Sequence, residues 1–130
     1  MSLSARNWAW DIKRRLRLPS DPPPKPGEGS AIMTLHPGEK LTLLCIAEHE
    51  STVEGCAFPS YTRISEKTGL NVRTVQRHVR VLAECGLLRV EKQRRASGQW
   101  LSHVYYFDTV PVEYREQDKA WMAQQEGMAA

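Results

Sequence analysis

The stretch PSYTRISEKTGLNVRTVQRHVRVLAECGLL, residues 59–88, decides how the chain folds. Ser60 precedes a short run around Ile64, and a serine hydroxyl there can accept a hydrogen bond from the first free amides of a helix. A helix is expected to end near Thr68. Gly69 then breaks it, because the chain must reverse tightly at a point where φ is often positive. Asn71 is a good cap for the next helix, in which Val72, Val75, Val79 and Leu82 recur at helical spacing. Gly86 closes that helix.

The pattern continues on both sides of this stretch. Upstream, Leu41, Leu43, Leu44, Cys45 and Ile46 predict an apolar helix over about residues 37–49. Downstream, residues 87–93 and 100–107 read as two strands, joined by the basic, turn-prone RRASGQ. Helix, helix, three-residue turn, helix and hairpin, in that order, make a winged helix-turn-helix. The expected fold is thus α+β and mainly helical, a three-helix core plus a two-stranded wing with flanking N- and C-terminal helices. Leu70 and Val75 supply the apolar contacts that hold the two motif helices at their angle. Ser65 stands where such motifs usually have alanine, and a small hydroxyl still fits the crossing. His78 stands where an aliphatic residue is common, with Val79 able to take the inward position and His78 on or near the basic face.

This domain is expected to span residues 31–110. Before it, Trp8, Ile12 and Leu16 repeat every four residues, with Lys13, Arg14, Arg15 and Arg17 around the other sides. Residues 1–18 therefore read as a basic amphipathic helix that docks by its tryptophan face. Residues 19–30, PSDPPPKPGEGS, hold five prolines and two glycines and read as a semi-rigid linker. Residues 111–130 read as a C-terminal helix and tail, with Tyr114, Trp121 and Met122 as its apolar residues.

Composition narrows the function classes. The 130 residues are 41% hydrophobic and 25% charged, which suits one globular domain and argues against global disorder. No apolar run approaches the ~18 residues of a membrane span, and the first residues do not form a secretory signal. Cys45, Cys56 and Cys85 are odd in number, lack CxxC spacing and lie in or beside apolar runs. They are expected to be reduced, buried thiols of a cytoplasmic protein. His36, His49, His78 and His103 are scattered without metal-site spacing, and neither a GxxxxGK loop nor a GxSxG elbow is present. No metal, cofactor or enzymatic activity is expected. The net charge of +3 conceals +6 over residues 60–103, flanked by −3 on either side. A basic middle of this kind points to a polyanionic partner.

Residues 8–107, about three quarters of the chain, resemble the helix-turn-helix domains of phage and plasmid replication proteins and related small regulators. NWAW, EKLTLLCIAEH, the block FPSYTRISEKTGLNVRTVQRHVRVLAECGLLRV and the closing HVYYF carry the resemblance, and the block from 59 to 88 is its specific part. The resemblance implies binding of double-stranded DNA with the third core helix in the major groove.

The residues themselves support such a contact. Arg73, Arg77 and Arg80 lie at i, i+4 and i+7, and three cations on one helix face repel one another without acidic neighbours. Arginine can grip guanine O6 and N7 with two hydrogen bonds, and glutamine can grip adenine likewise. Residues near the start of a recognition helix usually reach bases, so Arg73, Thr74, Gln76 and Arg77 are the expected base contacts and Arg80 a phosphate contact. Lys92, Arg94 and Arg95 suit a wing on the backbone, and Ser60, Arg63 and Lys67 are further phosphate candidates. The leading expectation is sequence-specific DNA binding by a small regulator of transcription or of phage or plasmid replication. The alternatives are an origin-binding replication accessory and a winged-helix module that binds protein instead. One winged helix reads few base pairs, so a homodimer on a palindrome is expected, with the C-terminal helix as the better dimer element.

Overall fold

The structure, a computed structural model, describes residues 3–27, 29, 31–92 and 103–129. Its elements run α1 (Leu3–Asp11), β1 (Arg14–Leu16), β2 (Ile32–Thr34), α2 (Pro37–Glu48), α3 (Tyr61–Thr68), α4 (Val72–Glu84), β3 (Arg89–Glu91), β4 (Val104–Tyr106) and α5 (Val112–Ala129). This is a mainly helical α+β fold.

The core helices begin where the sequence offers a cap. The Arg63 amide donates to Ser60 Oγ at 3.0 Å, and the Thr74 amide to Asn71 Oδ1 at 3.0 Å. At α2 a histidine does the same work: the Gly38 amide donates to His36 Nδ1 while Glu39 Oε1 accepts from the His36 amide, a reciprocal capping box. Gly69 ends α3 at φ 78°, and its amide donates back to the Ser65 carbonyl at 2.9 Å. The Ser65 hydroxyl crosses the turn to the Leu70 carbonyl at 2.6 Å, which gives the hydroxyl at the helix crossing a use that alanine lacks. Gly86, at φ 82°, turns the chain out of α4.

These helices bury one shared core. Leu43 and Ile46 of α2, Ile64 of α3 and Val75, Val79 and Leu82 of α4 meet there, joined by Ala5, Trp8 and Ala9 of α1. Val72, in the first turn of α4, remains 38% exposed and does not belong to this stripe. All three cysteines are free and buried. The wing pairs β3 with β4 in antiparallel register, Arg89 with Tyr106, Val90 with Tyr105 and Glu91 with Val104. Ala57, in the loop before α3, bonds to the other edge of β4 through Tyr105, so the root of the wing is pinned to the core. The RRASGQ tip lies outside the described residues.

Two expectations about the N-terminal region are corrected. The helix stops at Asp11 instead of running to residue 18, and Arg14–Leu16 form a strand paired with Ile32–Thr34. The described residues 19–27 and 29 therefore belong to a long hairpin loop and not to a linker between separate pieces. Arg15 explains both changes. Its guanidinium, 3% exposed, forks onto Asp21 in the loop at 2.7 and 2.8 Å and onto Glu39 of α2 at 3.0 Å. An outward place on a solvated helix would forfeit those bonds. Lys40 closes the truncated helix by donating to the Trp10 and Ile12 carbonyls at 2.6 and 3.0 Å, a favourable site for a cation at a helix C-terminus.

The C-terminal helix docks on its own chain, with Tyr114 packed against the core and several polar contacts beside it. Asp118 Oδ1 accepts from the Leu3 and Ser4 amides at 2.7 and 3.0 Å, so a carboxylate of α5 caps the N-terminus of α1. Arg115 holds buried Glu50 with two bonds, and Tyr114 reaches Asp11. Further along α5, Trp121 and Met122 are 45% and 41% exposed, and Met122 lines a cavity with Thr52 and Gly55 of the loop after α2.

Candidate nucleic-acid interface

On α4 the buried positions Val75, His78, Val79 and Leu82 fill one side. Arg73, Gln76, Arg77 and Arg80 are all exposed, and at 100° per residue they fall within an arc of about 100° on the other side. Glu84 continues that arc at the C-terminal end of the helix, so the uniformly cationic part is its first two turns. Thr74 is half-buried on the flank of the arc, and does not share the exposed face with the arginines.

Six of the twelve arginines form two contrasting groups. Arg15 pairs with Asp21 and Glu39, Arg115 with Glu50, and Arg89 with Asp108 and Glu91 while its guanidinium lies 4.0 Å above the Tyr106 ring. These three serve the fold. Arg73, Arg77 and Arg80 form no ion pair among the described residues, and all three stand on one face. Like charges gathered on an exposed face, with Glu84 as the one carboxylate at its far end, gain little for folding and are suited to an external polyanion.

Other expected contacts are distributed less tightly. Ser60 is half-buried with its oxygen engaged in capping α3. Arg63 and Lys67 are exposed one turn apart on α3 and lie within electrostatic reach of Cys45 of α2, where they offset part of the rise in its thiol pKa. Lys92 is exposed at the end of β3, and Arg94 and Arg95 lie outside the described residues. His78 is corrected: it is 5% exposed and turned inward. It fits because α2 has a glycine opposite, where a Cβ on Gly38 would stand 2.8 Å from His78 Nε2. Burial lowers its pKa and favours the neutral ring.

Tyr61 is a groove residue that the sequence did not single out. It lines a cleft of about 300 Å³ with Gln76 and Arg80 of α4 and Val90 of β3, and its ring lies 4.9 Å from that of His103. Burial raises its pKa, and nearby Arg80 opposes that rise. The recognition face thus continues sideways into the wing. Burial also raises the pKa of Cys45, Cys56 and Cys85, which keeps the thiols protonated and unreactive. Among the described residues no group of His, Cys, Asp or Glu can hold a metal ion, and no helix is long and apolar enough to cross a membrane.

A three-helix core, a capped turn at Gly69, a last helix with an exposed cationic face and a two-stranded wing define the winged helix-turn-helix class. Residues 34–88, from the end of β2 through Leu88, match the family described as "Helix-turn-helix domain". No curated protein matches the chain.

Proposed function

We propose that the protein binds double-stranded DNA sequence-specifically, with α4 in the major groove, as a small regulator of transcription or of phage or plasmid replication. The observation that carries this reading is the exposed face of Arg73, Gln76, Arg77 and Arg80, free of ion pairs among the described residues while Arg15, Arg89 and Arg115 are paired. Arg73, Gln76 and Arg77 contact bases and Arg80 the backbone, with Thr74 at the edge of the contact. Lys92, Arg94 and Arg95 of the wing and Arg63 and Lys67 of α3 add phosphate contacts. Its chemistry is binding and not catalysis, and it acts in the cytoplasm, where its thiols stay reduced.

A homodimer on a palindromic site supports the area that regulators need. The exposed end of α5, with Trp121 and Met122, is the dimer element, since the first half of that helix is already used on α1. Selection from a random duplex library tests the reading. A short consensus is expected, with Arg77→Ala relaxing one position and costing about 1–3 kcal/mol of specific binding. A library that stays unenriched overturns sequence-specific recognition. Light scattering on the full chain and on a chain ending at Lys119 tests the dimer; a monomer in both, with and without DNA, removes it.

A further inference from the structure

We infer that Tyr61 and His103 form a phosphate subsite between α4 and the β3–β4 wing, in which the His103 ring takes up a proton from solvent as duplex DNA binds. The inference rests on the proposed DNA binding by α4 and deepens it, making that contact depend on pH.

Position is the first argument. Tyr61 opens α3, and with Gln76 and Arg80 of the exposed α4 face and Val90 of β3 it lines a cleft of about 300 Å³. The centre of the His103 ring lies 4.9 Å from that of Tyr61 and 6.3 Å from that of Tyr105. Side chains two apart on a strand share a face. Lys92 and His103, one residue beyond the paired strands, therefore extend the side of the wing on which Val90 and Tyr105 stand. A duplex seated on Gln76 and Arg80 reaches this side of the wing.

Unused bonding capacity is the second. Tyr61 and His103 are half-buried, and among the described residues neither the phenol nor the imidazole makes a hydrogen bond. The hydroxyl of fully buried Tyr105 has no partner either. Withdrawing polar groups from water costs stability unless they are bonded, so an unbonded cluster beside the recognition face points to an external partner.

Charge is the third. No carboxylate is among the residues that line the cleft. Glu91 of β3 alternates to the other face of the wing and is held by Arg89, while Asp21, Glu39 and Glu84 line a cleft on the opposite flank of α4, which Arg80 also borders. The groups facing His103 are Lys92 from the end of β3, Tyr61 of α3, with Arg80 of α4 beside it, and Tyr105 of β4. Burial first and Lys92 second hold the His103 pKa below its ordinary 6.5, so the ring is neutral in the free chain at pH 7. A phosphate reverses that balance, because an adjacent anion favours the imidazolium, whose two nitrogens both donate. Affinity then rises as pH falls from the bound pKa to the free one, and levels off below it.

The experiment measures binding of the full chain to the duplex selected above at pH 8 and pH 6, across a salt series, beside His103→Gln and Tyr61→Phe. Over that interval the natural chain should gain about three- to tenfold more affinity than His103→Gln. Its log–log salt slope should steepen by about 0.9, the value for one further neutralised phosphate, while that of His103→Gln stays constant. Tyr61→Phe should bind about three- to tenfold more weakly at pH 6, equally for all sequences, with its thermal midpoint kept. Titration of the His103 ring by NMR in the natural chain, which needs no variant to fold, should give a higher pKa in the complex than in the free chain. Equal pH gains in the natural chain and His103→Gln, an unweakened Tyr61→Phe, or a His103 ring titrating alike with and without duplex each overturn the subsite alone, provided the chain binds and Arg77→Ala weakens it. Failure of the full chain to bind any duplex overturns the DNA reading and this inference with it.

Discussion

Replacing Arg15 by leucine removes the cation on which β1, the proline-rich loop and α2 converge. The guanidinium is 3% exposed, and its partners Asp21 and Glu39 are 13% and 8% exposed, so the carboxylates would lose their counter-charge largely out of water. Removing one member of a buried ion pair costs about 3–5 kcal/mol, most of it from the partner left behind. The share of Asp21 follows from its titration. The hydrogen bond from Arg15 holds its carboxyl at about 2 against an ordinary 3.8, with burial opposing the shift. That difference is equivalent to about 2 kcal/mol. The folded-state pKa lies below the unfolded one, so this stabilisation is complete above about pH 4–5 and is lost as pH falls through 2. Urea unfolding followed by tryptophan fluorescence at pH 7 should therefore show Arg15→Leu at least about 3 kcal/mol less stable, and Asp21→Asn about 2 kcal/mol less stable. The Asp21→Asn deficit should be roughly half as large at pH 3. An Arg15→Leu variant within about 0.5 kcal/mol of the natural chain, or an Asp21→Asn deficit equal at pH 3 and pH 7, would refute the buried fork as the anchor of the loop.

Gly69→Ala should cost about 1–2 kcal/mol, because φ is +78° there and the surroundings are open, leaving backbone strain as the whole effect. Gly29→Ala, also in open space but without positive φ, should be close to neutral in the same denaturation assay. Burial depresses the His78 pKa, so its contribution is present above the ordinary 6.5 and is lost as pH falls below it. Glu39, Arg77 and His36 face this ring, and His103 is depressed in the same direction. The thermal midpoint should fall between pH 7 and pH 5, and fall less in His78→Leu; identical pH slopes would contradict the assignment. Asp118→Ala should destabilise the fold by about 1 kcal/mol through loss of the α1 cap, and a change below about 0.3 kcal/mol by urea titration would count against that role.

The motif helices were legible because their ends depend on local chemistry. Ser60, Gly69, Asn71 and Gly86 each act within a few residues, and all four stand where the capping rules place them. The exposed face of α4 was legible for the same reason, since helical spacing alone separates Arg73, Arg77 and Arg80 from Val75, Val79 and Leu82. What the sequence concealed was long-range. Arg15 sits in a run of basic residues that locally reads as a solvated helix face, and Asp21 and Glu39, its partners, are brought to it only by the hairpin. The helix-based reading failed at that one residue, and the linker assignment failed with it. His78 was misplaced because its inward position depends on a missing side chain at Gly38, forty residues earlier. The docking of α5 was legible in part: Tyr114 packs on the core as an apolar residue should, while Trp121 and Met122 stay exposed and polar Asp118 and Arg115 add the long-range attachment.

The central claim is that the bare arginine face of α4 meets DNA, and the affinity of the full chain for duplex across a salt series tests it most directly. The expected result is a linear fall of log K with log salt, with a slope of about −3 or steeper for several phosphate contacts. Arg73→Ala and Arg77→Ala should weaken specific binding without changing the thermal midpoint. Binding that does not weaken with salt, or an Arg73→Ala/Arg77→Ala double variant that binds its selected site as tightly as the natural chain, would contradict the claim and turn attention to a protein partner for this face.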